Sequence, residues 1–407
     1  MRNVIFIAPF LMETTLRFVD GIRGLDNTRV LGLVQKKPGG IDPAQRARFD
    51  HVYEVDDAFS AGQLLEGARW FEKEFGPIHR VANVLEHIQI VAAKVREAFG
   101  CPGLDVAAAT RFLDKNVMKA ALRAGGFPCA RHATIRHPRE GIEFTDTVGF
   151  PVVVKPPIGA ACHSTYRVGS REELVSILDE LRPSIENPVQ IEEFITGDEH
   201  SFETLCIDGE VKMHSISRYY PGCLEVMRNP WIKYCVVLPR DISGPEYDDT
   251  RKVGIAAVKA LGMKWGLTHM EWFRRPDGSM AIGEIAARPA GANITRMMCY
   301  AYDVDMYRVW GRAIVDGAFD GPFERKFAVG TAFLRSPGQG RVAGTVGVEE
   351  VNRRVGQYVV EARMPVRGEP KSPEYEGDGY VIVRHETTEK VRELLSDIIT
   401  NVHVQYE

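Results

Sequence analysis

The sequence lacks any Cys-x-x-Cys pair. Its seven cysteines stand singly at 101, 129, 162, 206, 223, 235 and 299, which argues against a zinc ribbon or a thioredoxin-type redox site. No uninterrupted apolar run approaches the roughly 20 residues of a membrane helix, so no membrane association is expected. A surplus of basic residues is missing too: the net charge is -4, which gives no electrostatic reason to expect nucleic acid as a partner. There is no Gly-x-x-x-x-Gly-Lys-Ser/Thr, so a P-loop is excluded. No Gly-x-Gly-x-x-Gly follows the first apolar stretch, which argues against a Rossmann-type nucleotide site there. Internal repeats and low-complexity tracts are absent.

What remains is an ordinary globular composition, 44% hydrophobic and 26% charged. A length of 407 residues exceeds one ordinary core and implies about two to four domains. The start, Met1-Arg2-Asn3-Val4-Ile5-Phe6-Ile7-Ala8-Pro9, is a short apolar run broken by proline, which fits a strand better than an export signal. With an odd cysteine count this leads to the expectation of a reducing, cytoplasmic location.

Along the first third, strand-like stretches (4–8, 29–35, 80–85) alternate with helical ones (13–25, 61–75, 89–99), the pattern of an open parallel α/β sheet. Residues 107–124 read as one helix closing at Gly125-Gly126. A strand pair is expected around 129–136, then a β-branched strand at 151–155 ending in Lys155. Residues 158–165 are small and polar and read as a mobile loop. Further strands are expected at 189–195, 199–206 and 211–219, with helices at 171–181, 249–261 and 302–317. The stretch 220–239, rich in aromatics, proline and arginine, reads as irregular. From about 320 glycines cluster and strands alternate with turns until a last helix at 388–399, the texture of a separate small α+β unit. Gly338-x-Gly340-x-x-x-Gly344 superficially resembles a phosphate loop, but hairpin turns explain it better because no helix pattern follows.

The densest chemistry sits in His269-Met270-Glu271-Trp272-Phe273 and Gly283-Glu284-Ile285-Ala286-Ala287-Arg288-Pro289, separated by a turn-rich stretch, Arg274 to Ser279. If two strands flank that turn, Glu271 and Glu284 stand side by side on one face. Two such buried carboxylates repel unless a cation lies between them. Mg²⁺ takes one or two carboxylates and completes its shell with waters and phosphates, so a nucleotide site is one reading. A surface hairpin with two solvated glutamates is the other. Lys155 inside a β-branched run is rarely buried without a partner, and could face a phosphate while the adjoining loop wraps it. Lys115, in Leu113-Asp114-Lys115, is a further phosphate candidate or a solvated helix lysine. Residues 189–195 could offer backbone groups to a base edge, and the acidic run Gly197-Asp198-Glu199 carboxylates to a ribose.

Together these pieces resemble the ATP-grasp superfamily. The likeness spans roughly 110–300: Asp114-Lys115 opening a helix, Val152-Val153-Val154-Lys155-Pro156 with its loop, Glu192-Glu193-Phe194-Ile195-x-Gly197-x-Glu199, His269-Met270-Glu271, and Glu284-Ile285-Ala286-Ala287-Arg288-Pro289. It is nearest to the L-amino-acid ligase and biotin carboxylase-like branch. The resemblance implies an α/β and α+β multidomain fold: an N-terminal open parallel α/β (preATP-grasp) domain at 1–110, an ATP-grasp domain at 111–318 with a lid subdomain at about 125–188, and a small C-terminal α+β domain at 319–407. It implies an ATP-dependent carboxylate–amine ligase that forms an amide through an acyl-phosphate, releasing ADP. The alternatives are an ATP-grasp carboxylase or other ligase using bicarbonate or another small acid, and a non-catalytic nucleotide-binding module.

By the same resemblance, Lys115 and Lys155 hold the α and β phosphates, with Ser164 and Thr165 of the lid beside them. Glu192, Glu193, Phe194 and Ile195 meet adenine, with Glu192 near its exocyclic amine, and Glu199 binds ribose. Glu271 and Glu284 ligate Mg²⁺, or Mn²⁺ in its place. Arg288 steadies the γ-phosphate or the acyl-phosphate. From the residues themselves, the stretch holding Arg218, Arg228 and Trp231 could pair its cations with a substrate carboxylate and enclose an apolar side chain, or be an ordinary surface excursion; Asn293 and Arg296 are further candidates to meet carboxylate and amine substrates, amino acids among them. A homodimer is compatible with this reading. One departure stands out: the family usually places asparagine two residues after the second metal glutamate, and here that position is Ala286.

Overall fold

The computed structural model describes residues 1–158, 165–229 and 232–407. Expectations that fell on Cys162, Ser164 and Trp231 lie outside the described residues. The alternating first third forms a parallel sheet of β1 (Arg2–Ala8), β2 (Thr28–Gln35), β3 (His51–Val55) and β4 (Ile78–Ala82), in the order β3-β2-β1-β4. Six consecutive residues of β1 are buried, as expected for a strand covered on both faces by helices. The helices are α1 (Glu13–Arg23), the short α2 (Pro43–Arg46), α3 (Ala61–Phe75) and α4 (Gln89–Ala98). Strand β3 escaped the sequence reading because it is short, polar and only half-buried.

The helix expected over 107–124 is two, α5 (Val106–Leu113) and α6 (Lys115–Ala124). Asp114 breaks them: its backbone is extended (φ -89, ψ 110), and its carboxylate accepts hydrogen bonds from the amides of Asn116 and Val117. An aspartate in that role starts a helix anew. Next comes a four-stranded sheet of β5 (His132–Ile135), β6 (Val152–Lys155), β7 (Tyr166–Val168) and β8 (Val189–Glu193), ordered β5-β8-β6-β7. Helices α7 (Pro138–Val148) and α8 (Arg171–Leu181) accompany it.

The rest is organised by an eight-stranded sheet ordered β13-β12-β9-β10-β11-β14-β17-β16. Its strands are β9 (Asp198–Ile207), β10 (Glu210–Tyr220), β11 (Tyr234–Leu238), β12 (Gly266–Arg274), β13 (Met280–Ala286), β14 (Ala328–Leu334), β16 (Val359–Arg363) and β17 (Gly379–His385), while β15 (Val342–Val346) pairs with β18 (His403–Tyr406) in a sheet of their own. The stretch expected to be irregular at 220–239 holds a short helix, α9 (Cys223–Arg228), and β11. All five residues of β11 are buried between β10 and β14; a strand buried on both faces shows no alternation, and the neighbouring prolines disguise it. The helix expected at 302–317 is preceded by another: after α10 (Asp248–Ala260) come α11 (Ile294–Tyr302) and α12 (Met306–Asp316), parted by Asp303 in the left-handed region (φ 55). Helices α13 (Val348–Val355) and α14 (Thr388–Asn401) complete the chain.

The segment 319–407 is not set apart by its sheet, since β14 pairs with β11 from Tyr234↔Phe333 to Leu238↔Val329. The glycine-rich stretch beginning at Gly338 connects strands of two different sheets, so it is a crossover and not a hairpin. Gly340 is required there: at φ 98 a Cβ would lie 2.4 Å from the Glu407 carbonyl oxygen. Among the described residues no helix is long and apolar enough to cross a membrane.

Among the contacts that join the N-terminal sheet layer to the remainder are a helix pair and an ionic cluster. Helix α1 lies against α12 so closely that a Cβ on Gly21 would fall 2.3 Å from the Tyr307 carbonyl oxygen. Beside it Phe18 meets Tyr307 and Trp310 edge-on, at 4.8 and 5.0 Å between ring centroids. Around Glu361 of β16 gather Arg17 of α1 (3.3 Å), Arg296 of α11, the Tyr300 hydroxyl (2.7 Å) and the Tyr380 hydroxyl (2.8 Å). Burial raises the Glu361 pKa, but the donors Arg296, Tyr300 and Tyr380 outweigh it and the carboxyl settles at about 2. A carboxyl depressed on folding contributes stability above its unfolded pKa, lost as pH falls through the folded value. Urea unfolding of the wild type and Glu361→Gln is therefore expected to differ most above pH 4.5, with the gap closing as pH drops toward 2. A pH-independent gap would mean the carboxylate charge does not matter.

Candidate functional site

A cleft of about 550 Å³ opens between the β5–β8 sheet and the eight-stranded sheet. Its cationic wall begins at the helix break. Because Asp114 restarts α6 at Lys115, Lys115 and Lys119 fall one turn apart on the same face. The Lys115 ammonium lies 2.9 Å from Glu284 Oε1. Lys119 is fully buried; its ammonium pairs with Glu192 Oε2 at 2.8 Å and donates to the Gly283 carbonyl oxygen at 2.8 Å. Lys155, at the end of β6, meets Glu192 Oε1 at 2.6 Å. Burial would push the Glu192 carboxyl up, but Lys119 and Lys155 outweigh it and hold it at about 2. Burial likewise opposes the charge on Lys155, yet Glu192, Glu284 and Glu271 raise its pKa above the ordinary lysine value.

The acidic wall comes from β12 and β13. The turn expected between them forms, with the Gly278 amide donating to the Arg275 carbonyl at 2.9 Å. The register places Glu271 directly opposite Glu284. Pairing then skips from Glu271↔Glu284 to Trp272↔Ile282, so Gly283 is the extra residue of a β-bulge. That extra residue's carbonyl is the one that receives Lys119. On β12 the period of two puts His269 on the face of Glu271. His269 Nδ1 lies 3.0 Å from Glu203 Oε1, and its Nε2 3.7 Å from Glu271 Oε1. Burial opposes protonation of this imidazole, but the two carboxylates hold it charged, with a pKa of about 9. Next to Glu271, burial and then the Glu271 charge push the Glu199 carboxyl up to about 8, against the stabilising hydrogen bond from the Cys223 amide at 2.9 Å.

Beyond the glutamates, Arg288 is held by Glu86 of the N-terminal region, Nε to Oε2 at 2.6 Å. Burial opposes its charge and Glu86 restores it, leaving the guanidinium pKa above its ordinary value. At the other end of the cleft Ile195 packs with Ala130, Ala281 and Phe273 in an apolar patch. The guanidinium of Arg167 covers the Phe194 ring at 4.7 Å. The Glu193 carboxylate is engaged by Arg131 at 2.6 Å and Arg275 at 3.6 Å.

The structure thus gathers Lys115, Lys155, Thr165, Glu192, Glu193, Phe194, Ile195, Glu199, Glu271, Glu284 and Arg288 around one cleft. Of the residues expected to meet substrate, Arg218 lines it, hydrogen-bonded to the Tyr247 hydroxyl. Arg228 does not: it is the exposed last residue of α9. Asn293 starts α11 in a left-handed conformation (φ 58) outside the lining, and Arg296 is spent on Glu361. Sequence reasoning gave these three too much weight because arginine and asparagine near a motif look available until their partners are known. It missed Lys119, Glu203, Glu86 and the role of His269 as a carboxylate partner. The four-residue step from Lys115 was a usable signal for Lys119, and the two-residue step from Glu271 for His269; Glu86 lies too far away in sequence to leave one.

The donor set fits a hard divalent cation. Among the described residues no trio of His, Cys, Asp and Glu converges, but two facing carboxylates are the complement Mg²⁺ uses when phosphates supply the rest. Beside this pair Glu199 is pushed up by burial first and by the Glu271 charge second, so a cation between the carboxylates would offset the second of these.

No family model matches the chain. It is 27% identical over 265 residues to the L-arginine-specific L-amino acid ligase of Bacillus subtilis, covering 63% of this chain and 62% of that protein. It is 28% identical over 204 residues to D-alanine–D-alanine ligase A of Escherichia coli (strain K12), covering 47% of this chain and 54% of that one. The matches therefore span less than two thirds of these relatives' length. In fold, it superposes on an L-amino acid ligase from Bacillus licheniformis with a TM-score of 0.80 and 20% identity, covering 100% of this chain and 99% of that one. An N5-carboxyaminoimidazole ribonucleotide synthetase from Thermotoga maritima gives 0.73 at 17% identity, with 100% of both chains covered. Sequence and fold point the same way: the chain has the fold of these ligase and synthetase structures, and part of its length is similar in sequence to amino acid ligases.

Proposed function

We propose that this chain is an ATP-dependent carboxylate–amine ligase acting on amino acids in the cytoplasm. The observation that carries the reading is the cross-strand pair Glu271 and Glu284 facing Lys115 and Lys155 across one cleft. In this reading Lys115 and Lys155 take the α and β phosphates. The end of β8, Glu192 to Ile195, takes adenine, with Glu192 accepting from its exocyclic amine. Glu199 takes ribose, and Thr165 belongs to a lid within about residues 125–188. Glu271 and Glu284 would hold Mg²⁺, whose chemistry is to offset phosphate charge during transfer.

The chain's own residues do the rest. Lys155 and Arg288 present fixed charge to the transferring phosphoryl group. A substrate carboxylate oxygen attacks the γ-phosphorus, the bond to the β-phosphate oxygen breaks, and ADP leaves. An amine nitrogen then attacks the acyl carbon, the bond to phosphate breaks, and the amine proton passes to solvent. Excluding water matters because an acyl-phosphate hydrolyses. A second reading, bicarbonate as the acid, draws on the likeness in fold to the biotin carboxylase domain of the Hydrogenobacter thermophilus 2-oxoglutarate carboxylase, whose structure holds MgADP and bicarbonate.

The test is phosphate release from ATP and Mg²⁺ with panels of amino acids and small carboxylates, with product masses measured. Release requiring both an acid and an amine, with a product equal to their sum less water, supports the ligase. Release with bicarbonate and one acceptor alone supports the second reading. ATP binding without turnover on any panel member would leave a nucleotide-binding module.

A further inference from the structure

We propose that Lys119 is a positioning residue of the nucleotide site, the standing counter-ion that keeps Glu192 an ionised acceptor for adenine while Lys155 turns to the phosphates. This rests on the ligase reading only in so far as the cleft binds ATP. Glu192 has two ammonium partners, one on each oxygen, and they are not equivalent. Lys155 lines the cleft and retains 11% side-chain exposure. Lys119 is 0% exposed, is absent from the lining, and is anchored a second time on the Gly283 carbonyl. A polyanion entering the cleft can reach the first and not the second.

A buried carboxylate that loses its cation takes a proton instead. With Lys155 drawn to a phosphate, Lys119 alone holds the charge on Glu192. A charged Glu192 accepts a hydrogen bond from an exocyclic amine and offers no proton to an oxo group. Adenine would be preferred over hypoxanthine, which carries oxygen at that position. Through Gly283, the same ammonium also ties the base-facing strand β8 to the bulge next to Glu284, so base and phosphate ends of the cleft share one fixed point.

The experiment is titration of the full chain with ATP and with inosine triphosphate, each with Mg²⁺, for wild type and Lys119→Met. The expected result is a loss of ATP affinity of roughly tenfold or more, with a smaller loss for inosine triphosphate, so that the ratio between them narrows. Equal losses for both nucleotides, or none, would overturn the proposal, since a merely structural lysine affects both alike. If Lys119→Met does not fold, Lys119→Gln keeps a donor for both oxygens while removing the charge, and the same narrowing is expected of it. Wild type that binds neither nucleotide would reject the nucleotide site itself. Wild type that prefers ATP while both variants keep its affinity and ratio would reject only the part given to Lys119.

Discussion

Replacing Glu284 by glutamine is expected to lower phosphate release by roughly 10²–10³-fold, while ATP still binds with reduced affinity. Glutamine keeps the size of the side chain and one oxygen for Lys115, which now sits 2.9 Å from the carboxylate. What disappears is one of two negative charges facing each other across β12 and β13. A neutral amide opposite Glu271 weakens the hold on a divalent cation while the lysine wall and the apolar patch at Ile195 are untouched. Binding should therefore survive in part, and the transfer step, where charge builds on the γ-phosphoryl group, should not. Calorimetric titration with ATP beside a phosphate-release assay separates the two. Turnover within a few-fold of wild type would remove Glu284 from the proposed metal pair.

Arg288→Met is expected to damage both activity and stability, for two separable reasons. The Glu86 carboxylate is 4% exposed and has Arg288 as its ion-pair partner at 2.6 Å. Removing one member of such a pair strands the other, at a cost of about 3 kcal/mol or more. Activity falls because the guanidinium beyond Glu271 and Glu284 is gone, by roughly 10²-fold or more. The double variant Arg288→Met with Glu86→Gln leaves no stranded charge, and is expected to regain most of the urea stability but none of the turnover. If the double variant recovers activity together with stability, Arg288 serves the fold and not the reaction.

The parallel α/β layer and the β12–β13 pair were legible because each rests on a local signal. Strand and helix periods alternate cleanly before residue 100, and a Pro-Asp-Gly turn fixes which residues of β12 and β13 face one another. Strand β11 was hidden because its five buried residues carry no alternation. Periodicity alone ran one helix through Asp114, because aspartate inside an apolar-periodic stretch reads as an ordinary helix surface; the resemblance placed a helix start at Asp114-Lys115, and the carboxylate on the next turn's amides shows why. Residues whose position depends on a distant partner were the hardest. Arg296 looked free to meet a ligand, but its partner lies 65 positions away. Arg288 is met by a glutamate 202 positions earlier, and nothing near Glu86 in the chain announces it.

The interruption at Asp114 also has an evolutionary reading. Because the helix begins afresh there, the angular phase of the two lysines is counted from that aspartate and owes nothing to the length of what comes before. Residues could be gained or lost upstream, in α5 or its approach, and the ammonium groups would keep their bearing. A single insertion between 115 and 119 would instead swing Lys119 about 100° around the helix axis, away from Glu192. The short span after the aspartate is thus the stretch where length itself is under constraint.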